Sequence, residues 1–144
     1  VAGHSAGGYL TSMIGLDKRW LEPYGIDPDT AFVALIPYSG QVVTHFERRR
    51  ELGLPDTQPL VDDMAPLSYV RPDCRPMLIL SGDREREMLG RYEENAYFWR
   101  MMRVAGHPDV RICEFDGFDH GNMPQAGHFV AVRYIREMER RMDR

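Results

Sequence analysis

The chain has 144 residues, 43% of them apolar and 28% charged, the balance of one folded globular domain and not of a disordered or fibrous polypeptide. Eighteen Lys and Arg against 22 Asp and Glu leave a net charge of −4, which argues against a nucleic-acid binder that works through a basic surplus. No run approaches the roughly 18 apolar residues of a membrane span, and Cys74 and Cys113 are too few for a disulfide framework.

Val1-Ala2 reads as the end of a strand. Beyond Ser5 the run Ala6 to Leu16 spaces Leu10, Met13 and Ile14 as a helix does. Asp17 to Thr30, punctuated by Pro23, Gly25 and Pro28, reads as a loop. Phe32 to Ile36 is a short continuous apolar run, the pattern of a strand buried on both faces. Thr44-His45-Phe46-Glu47 fits a capping box, and Gly53 fits the end of the helix it would start. Five prolines between Pro55 and Pro76 keep regular structure brief there. Met77 to Leu80 predicts a second buried strand, running into Ser81-Gly82-Asp83. The stretch Arg91 to Val104 predicts a helix with Tyr92, Ala96, Trp99 and Met102 on its inner face. Val110 to Phe115 alternates apolar with polar, as a strand nearer the sheet edge does. A last helix runs from about Pro124 to Met142, with Phe129, Val132, Ile135 and Met138 as its inner stripe. This alternation of strands and helices predicts an α/β fold with a mainly parallel sheet and no internal domain boundary.

Chemistry concentrates at three places. Gly3-His4-Ser5-Ala6-Gly7 stands between a strand and a helix, and a serine on so sharp a turn presents its hydroxyl above the sheet edge. Small residues are expected at Gly3 and Gly7, where strand and helix nearly touch, and the Ala6 N–H is placed to meet an oxyanion. A nucleophilic serine needs a base, and the base an orienting acid, on loops at the carboxyl ends of later strands. Gly82-Asp83-Arg84-Glu85 supplies the acid candidates and Gly117-Phe118-Asp119-His120-Gly121 the histidine. His4, His45, His107 and His128 carry the ordinary reading of packing or surface residues.

These motifs together resemble the α/β-hydrolase esterases and lipases, in the hormone-sensitive-lipase-like or small carboxylesterase branches. Gly3 to Gly8 is similar to their nucleophile elbow, Pro76 to Asp83 to their acid-bearing strand, and Phe118-Asp119-His120-Gly121 to their histidine loop. The turn Ala65-Pro66-Leu67 matches a recurrent turn of the same group. The resemblance implies a serine hydrolase of carboxylic esters with Ser5 as nucleophile and His120 as base, acting on a small-molecule ester with no metal or organic cofactor. The family strand often ends Gly-x-x-Asp, a register that puts Glu85 at the acid position and leaves Asp83 as the alternative. His4, Tyr38 and Met123 are candidates to contact substrate, against the plainer reading of packing residues. Residues 41–75 resemble the region where the family places a lid or specificity insertion.

In that family the elbow falls near the middle of the domain. The resemblance therefore assigns 1–144 to the C-terminal part of a single α/β-hydrolase domain, with further strands and a His-Gly-Gly type motif expected upstream. Two other functions share these residues: an arylformamidase-type amide hydrolase, and a non-catalytic binding module on the same fold. Arg48-Arg49-Arg50 reads as a solvated helix face, and Glu85, Glu87, Glu93 and Glu94 have no histidine or cysteine pair to complete a metal site.

Overall fold

Four strands lie side by side in chain order, all parallel, in a computed structural model that describes residues 1–142. They are β1 (Ala2–His4), β2 (Ile36–Tyr38), β3 (Met77–Gly82) and β4 (Val110–Phe115). Helix α1 (Ala6–Leu16) and the short α2 (Pro28–Ala31) connect β1 to β2, α3 (Phe46–Glu51) lies between β2 and β3, α4 (Arg91–Val104) joins β3 to β4, and α5 (Met123–Met142) follows β4. Strand β4 takes the sheet edge that its alternating sequence predicts.

Strand β3 is buried along its whole length, and its side chains feed two cores in alternation. Met77 and Ile79 join Leu16, Leu35, Phe98 and Met102 on the face covered by α1 and α4. Leu78 and Leu80 join Ile36, Tyr38, Met123, Tyr134 and Met138 on the face covered by α5. The period-2 alternation of a strand, applied to the apolar run Met77–Leu80, builds a three-layer sandwich.

The strand expected at Phe32–Ile36 begins only at its last residue. Phe32 closes α2, Leu35 forms an isolated bridge with Met77, and regular pairing runs Ile36–Tyr38. Proline hides this strand from a sequence reading. Leu35 N–H donates to Pro76 and Ser39 N–H to Leu80, so the donor missing at Pro37 belongs to the same β3-facing set. Pairing of β2 with β3 is accordingly confined to Tyr38 opposite Leu80.

Three helical faces also differ from expectation. In α1 the buried set is Gly8, Tyr9, Thr11, Ser12, Met13, Gly15 and Leu16, with Leu10 exposed. In α4 it is Arg91, Asn95, Phe98 and Met102; Tyr92, Ala96 and Trp99 are only half-buried. In α5 it is Met123, Gly127, Ala131, Tyr134 and Met138, while Phe129 is 82% exposed and Val132 47%. Close packing explains the shifts. A Cβ on Gly15 would fall 2.5 Å from the Leu35 side chain, and one on Gly127 would fall 2.6 Å from the Tyr38 ring.

The segment 41–75 carries α3 and a 3-10 turn at Pro66–Tyr69. Helix α3 starts after His45, whose ring accepts the Glu47 N–H; Thr44 instead donates to Asp62 at 2.5 Å. Arg48 and Arg50 are exposed as expected, but Arg49 is buried and donates to the carbonyls of Asp56 and Gln58. Tyr9 Oη donates to Met64 O at 2.7 Å, and Arg71 reaches the carbonyls of Gly15 and Leu16 while paired with Asp29, so the segment is fastened to α1. Among the described residues no helix is long and apolar enough to cross a membrane.

Candidate active site

Ser5 stands between β1 and α1 with φ 58° and ψ −115°, a conformation rare outside glycine. The neighbouring chain holds it there. Ser5 N–H donates to Tyr38 O at 2.9 Å, and its carbonyl takes the first helical bond, from Tyr9 N. Gly3 is required by space, since a Cβ there would lie 2.3 Å from Gly7 O. The second tight approach is not at Gly7, where a Cβ would meet nothing within 4 Å, but at Gly8 against Gly40. Ala6 is the first residue of α1, so its N–H is one of the donors a helix leaves unpaired at its N-terminus.

His120 comes from the loop between β4 and α5, and its Nε2 lies 2.9 Å from Ser5 Oγ. Asp119 fixes that loop by accepting the N–H groups of Gly121 and Asn122. His4 supports it from below: its Nε2–H donates to His120 O at 2.8 Å, with ring centroids 4.7 Å apart. Burial, aided by the neighbouring His120, holds the His4 imidazole below the usual histidine range.

The acid at His120 is Glu87, and not Glu85 or Asp83, the two sequence candidates. Its Oε1 accepts from His120 Nδ1 at 2.5 Å, and its side chain is wholly buried. Glu85 is exposed and makes no contact with His120. Asp83 accepts the N–H groups of Glu85 and Gly117, both at 2.8 Å, so it ties the acid loop to the histidine loop. The displacement has a local cause. Asp83 O accepts both Arg86 N and Glu87 N, a single helical turn that brings the fourth residue after Asp83 back over the strand end. Gly82 makes room, because a Cβ there would lie 3.0 Å from Glu87 Oε2.

Burial pushes the Glu87 carboxyl up, but hydrogen bonds from His120, Ser39 and Met88 N outweigh it and bring its pKa down to about 2. Ser39 Oγ is 2.5 Å from Glu87 Oε2, Gly82 N 3.3 Å from the same oxygen, and Met88 N 2.9 Å from Oε1. Ser39 had a sequence signal: it directly follows a parallel strand, where such sheets present functional groups. Tyr38 and Met123, candidates for substrate contact, are core residues instead. Tyr38 is packed under α5 with its hydroxyl 3.2 Å from His128 Nδ1, and Met123 is fully buried. Among the described residues no three His, Cys, Asp or Glu side chains converge to hold a metal ion.

Such a serine–histidine–carboxylate chain at the carboxyl ends of parallel strands sits on a fold that solved structures identify: the chain has the α/β-hydrolase fold. It is similar to the thermophilic esterase 2 of the planctomycete Thermogutta terrifontis in its propionate-bound form, at 20% identity and a TM-score of 0.66. That match covers 95% of this chain and 54% of the esterase. The tabun-phosphoramylated form of the same esterase matches at 19% identity and a TM-score of 0.67, over 95% of this chain and 53% of that one. The acylaminoacyl peptidase of Pyrococcus horikoshii matches at 18% identity and a TM-score of 0.58, over 86% of this chain and 20% of the peptidase. The chain thus spans about half the length of the esterase structures it matches. No family model and no curated protein matches it.

Proposed function

We propose that the protein is a serine hydrolase of carboxylic esters, working through an acyl-enzyme on Ser5. The observation that carries this reading is the continuous contact from Ser5 Oγ to His120 Nε2 (2.9 Å) and from His120 Nδ1 to Glu87 (2.5 Å). His120 takes the Ser5 proton as Oγ attacks the ester carbonyl, then gives it to the departing alcohol. Water, deprotonated by the same imidazole, cleaves the acyl-enzyme and regenerates Ser5. Glu87 holds Nδ1 protonated, so that Nε2 faces the serine as a base. The Ala6 N–H stabilises the oxyanion, a kind of donor whose loss typically costs about 10²–10³ in rate. The esterase among the structural neighbours, solved once with propionate and once with butyrate bound, supports a short acyl group as the substrate class. Residues 41–75, fastened beside α1, form the stretch we assign to substrate selection.

A fluorophosphonate probe tests the reading directly. Wild-type protein is expected to form a covalent adduct on Ser5 and to hydrolyse short-chain aryl esters, and Ser5→Ala is expected to do neither. An adduct that survives Ser5→Ala, or none in the wild type, overturns it. Turnover of an aryl formamide faster than of the matching ester would move the assignment to amide hydrolysis on the same residues.

A further inference from the structure

Beneath Glu87 lies a buried polar network that ester cleavage as described does not use. Ser39 is fully buried and, with Ser5, is one of two non-glycine residues with positive φ among the described residues, at 47°. An L-residue held in that conformation carries strain that surrounding contacts must maintain. Those contacts are specific. Ser39 N–H donates to Leu80 O at 2.7 Å, and Ser39 O accepts Arg91 Nη1 at 2.5 Å. Arg91 is 4% exposed, a buried cation that Glu94 balances at 2.9 Å. Glu94 in turn accepts the N–H groups of Val42 and Val43, and Asn95, also fully buried, donates to Gly40 O. Two polar groups on α4 thus fix the two residues that follow β2.

What they fix is a hydroxyl. Ser39 Oγ donates its one proton to Glu87 Oε2 at 2.5 Å, and the same oxygen lies 3.2 Å from His120 Nδ1 as an acceptor. Ser39, Glu87 and His120 therefore close a ring of three. Glutamate has one more rotatable bond than aspartate, so a carboxylate reaching His120 from it needs an additional anchor. We propose that Ser39, braced by Arg91 and Glu94, is a positioning residue that locks the Glu87 carboxylate against His120 Nδ1. The inference rests on the reading of Ser5, His120 and Glu87 as the reacting set and adds a fourth residue that acts through the acid.

Ser39→Ala and Ser39→Gly in the full chain test it together, because both remove the hydroxyl while only glycine relieves the backbone. Both variants are expected to lose about 10-fold in kcat on a short-chain aryl ester with KM unchanged, the loss of one hydrogen bond to a charged group. Thermal unfolding of the glycine variant is expected at or above that of the alanine variant. In proton NMR, the far-downfield resonance of His120 Nδ1–H is expected to move upfield in both. Wild-type kcat and an unmoved resonance overturn the proposal, as does activity that follows the melting temperature, with glycine restoring it. Activity and labelling that survive Ser5→Ala sink the underlying reading instead, a separate outcome from failure at Ser39 alone.

Discussion

Four donors converge on the two oxygens of Glu87, and a carboxylate so supplied stays ionised although no part of its side chain meets solvent. The consequence is testable against its neighbours. Glu87→Gln is expected to lower kcat by about 10³–10⁴, because an amide no longer selects the histidine tautomer that leaves Nε2 free. Glu85→Gln, on an exposed side chain, is expected to leave ester turnover unchanged. Steady-state kinetics on the two variants decide which acid serves His120. Ser5 and His120 are legible in sequence because the groups around them are local: a glycine within two residues, a strand before, a helix after. Glu87 is not. Counting along an acid-bearing strand assumes an extended loop, whereas the turn closed by Asp83 O compresses four residues into one helical repeat.

At the scale of elements, helix and strand boundaries were readable where hydrophobic runs met turn residues, as in α4 and β4, which fall at Arg91–Val104 and Val110–Phe115 as their sequences predict. The faces of the helices were less readable. Periodicity picks out the largest apolar side chains, but the surfaces that approach the sheet here are built of Gly8, Gly15, Gly127 and Ala131, with polar Arg91 and Asn95 among them. A glycine admits close contact, and a buried polar group is tolerated once its partners are in place, so neither registers as core in a hydrophobic pattern. The elbow shows the same distinction. Gly3→Ala drives a methyl into the backbone of Gly7 and is expected to destabilise the protein by about 1–3 kcal/mol, the usual cost of overpacking. Gly7→Ala meets open space inside a helix and is expected to be neutral or stabilising by up to about 1 kcal/mol. Thermal melts of the two variants check this, and equal losses at both positions would contradict the geometry.

Over the whole molecule, the carboxylates govern how stability answers to acid. Glu87 and Glu137 are both brought down to about 2 from an ordinary glutamate value of 4.5, Glu87 by the donors that outweigh its burial and Glu137 by the Arg111 guanidinium, with Arg141 adding to it. A carboxyl whose folded value is depressed binds fewer protons folded than unfolded. Its stabilisation is complete above about pH 4.5 and is lost as pH falls toward 2. Glu94 acts in the opposite sense: burial outweighs Arg91 and raises its carboxyl, so folding gains nothing from ionising it as pH rises. The two depressed groups separate by environment. Glu87 is wholly buried, whereas the Glu137 side chain is 33% exposed against an Arg111 side chain that is 39% exposed. Dissolved salt screens exposed pairs over a Debye length of about 3 Å at 1 M but reaches buried ones much less. Denaturant unfolding between pH 5 and pH 2 is therefore expected to show a shallower acid slope in both Glu87→Gln and Glu137→Gln at low salt. At about 1 M salt the Glu137 variant should converge on the wild type while the Glu87 variant stays distinct. Convergence of both would mean that water and ions reach Glu87, which the contacts from Ser39, Gly82, Met88 and His120 forbid.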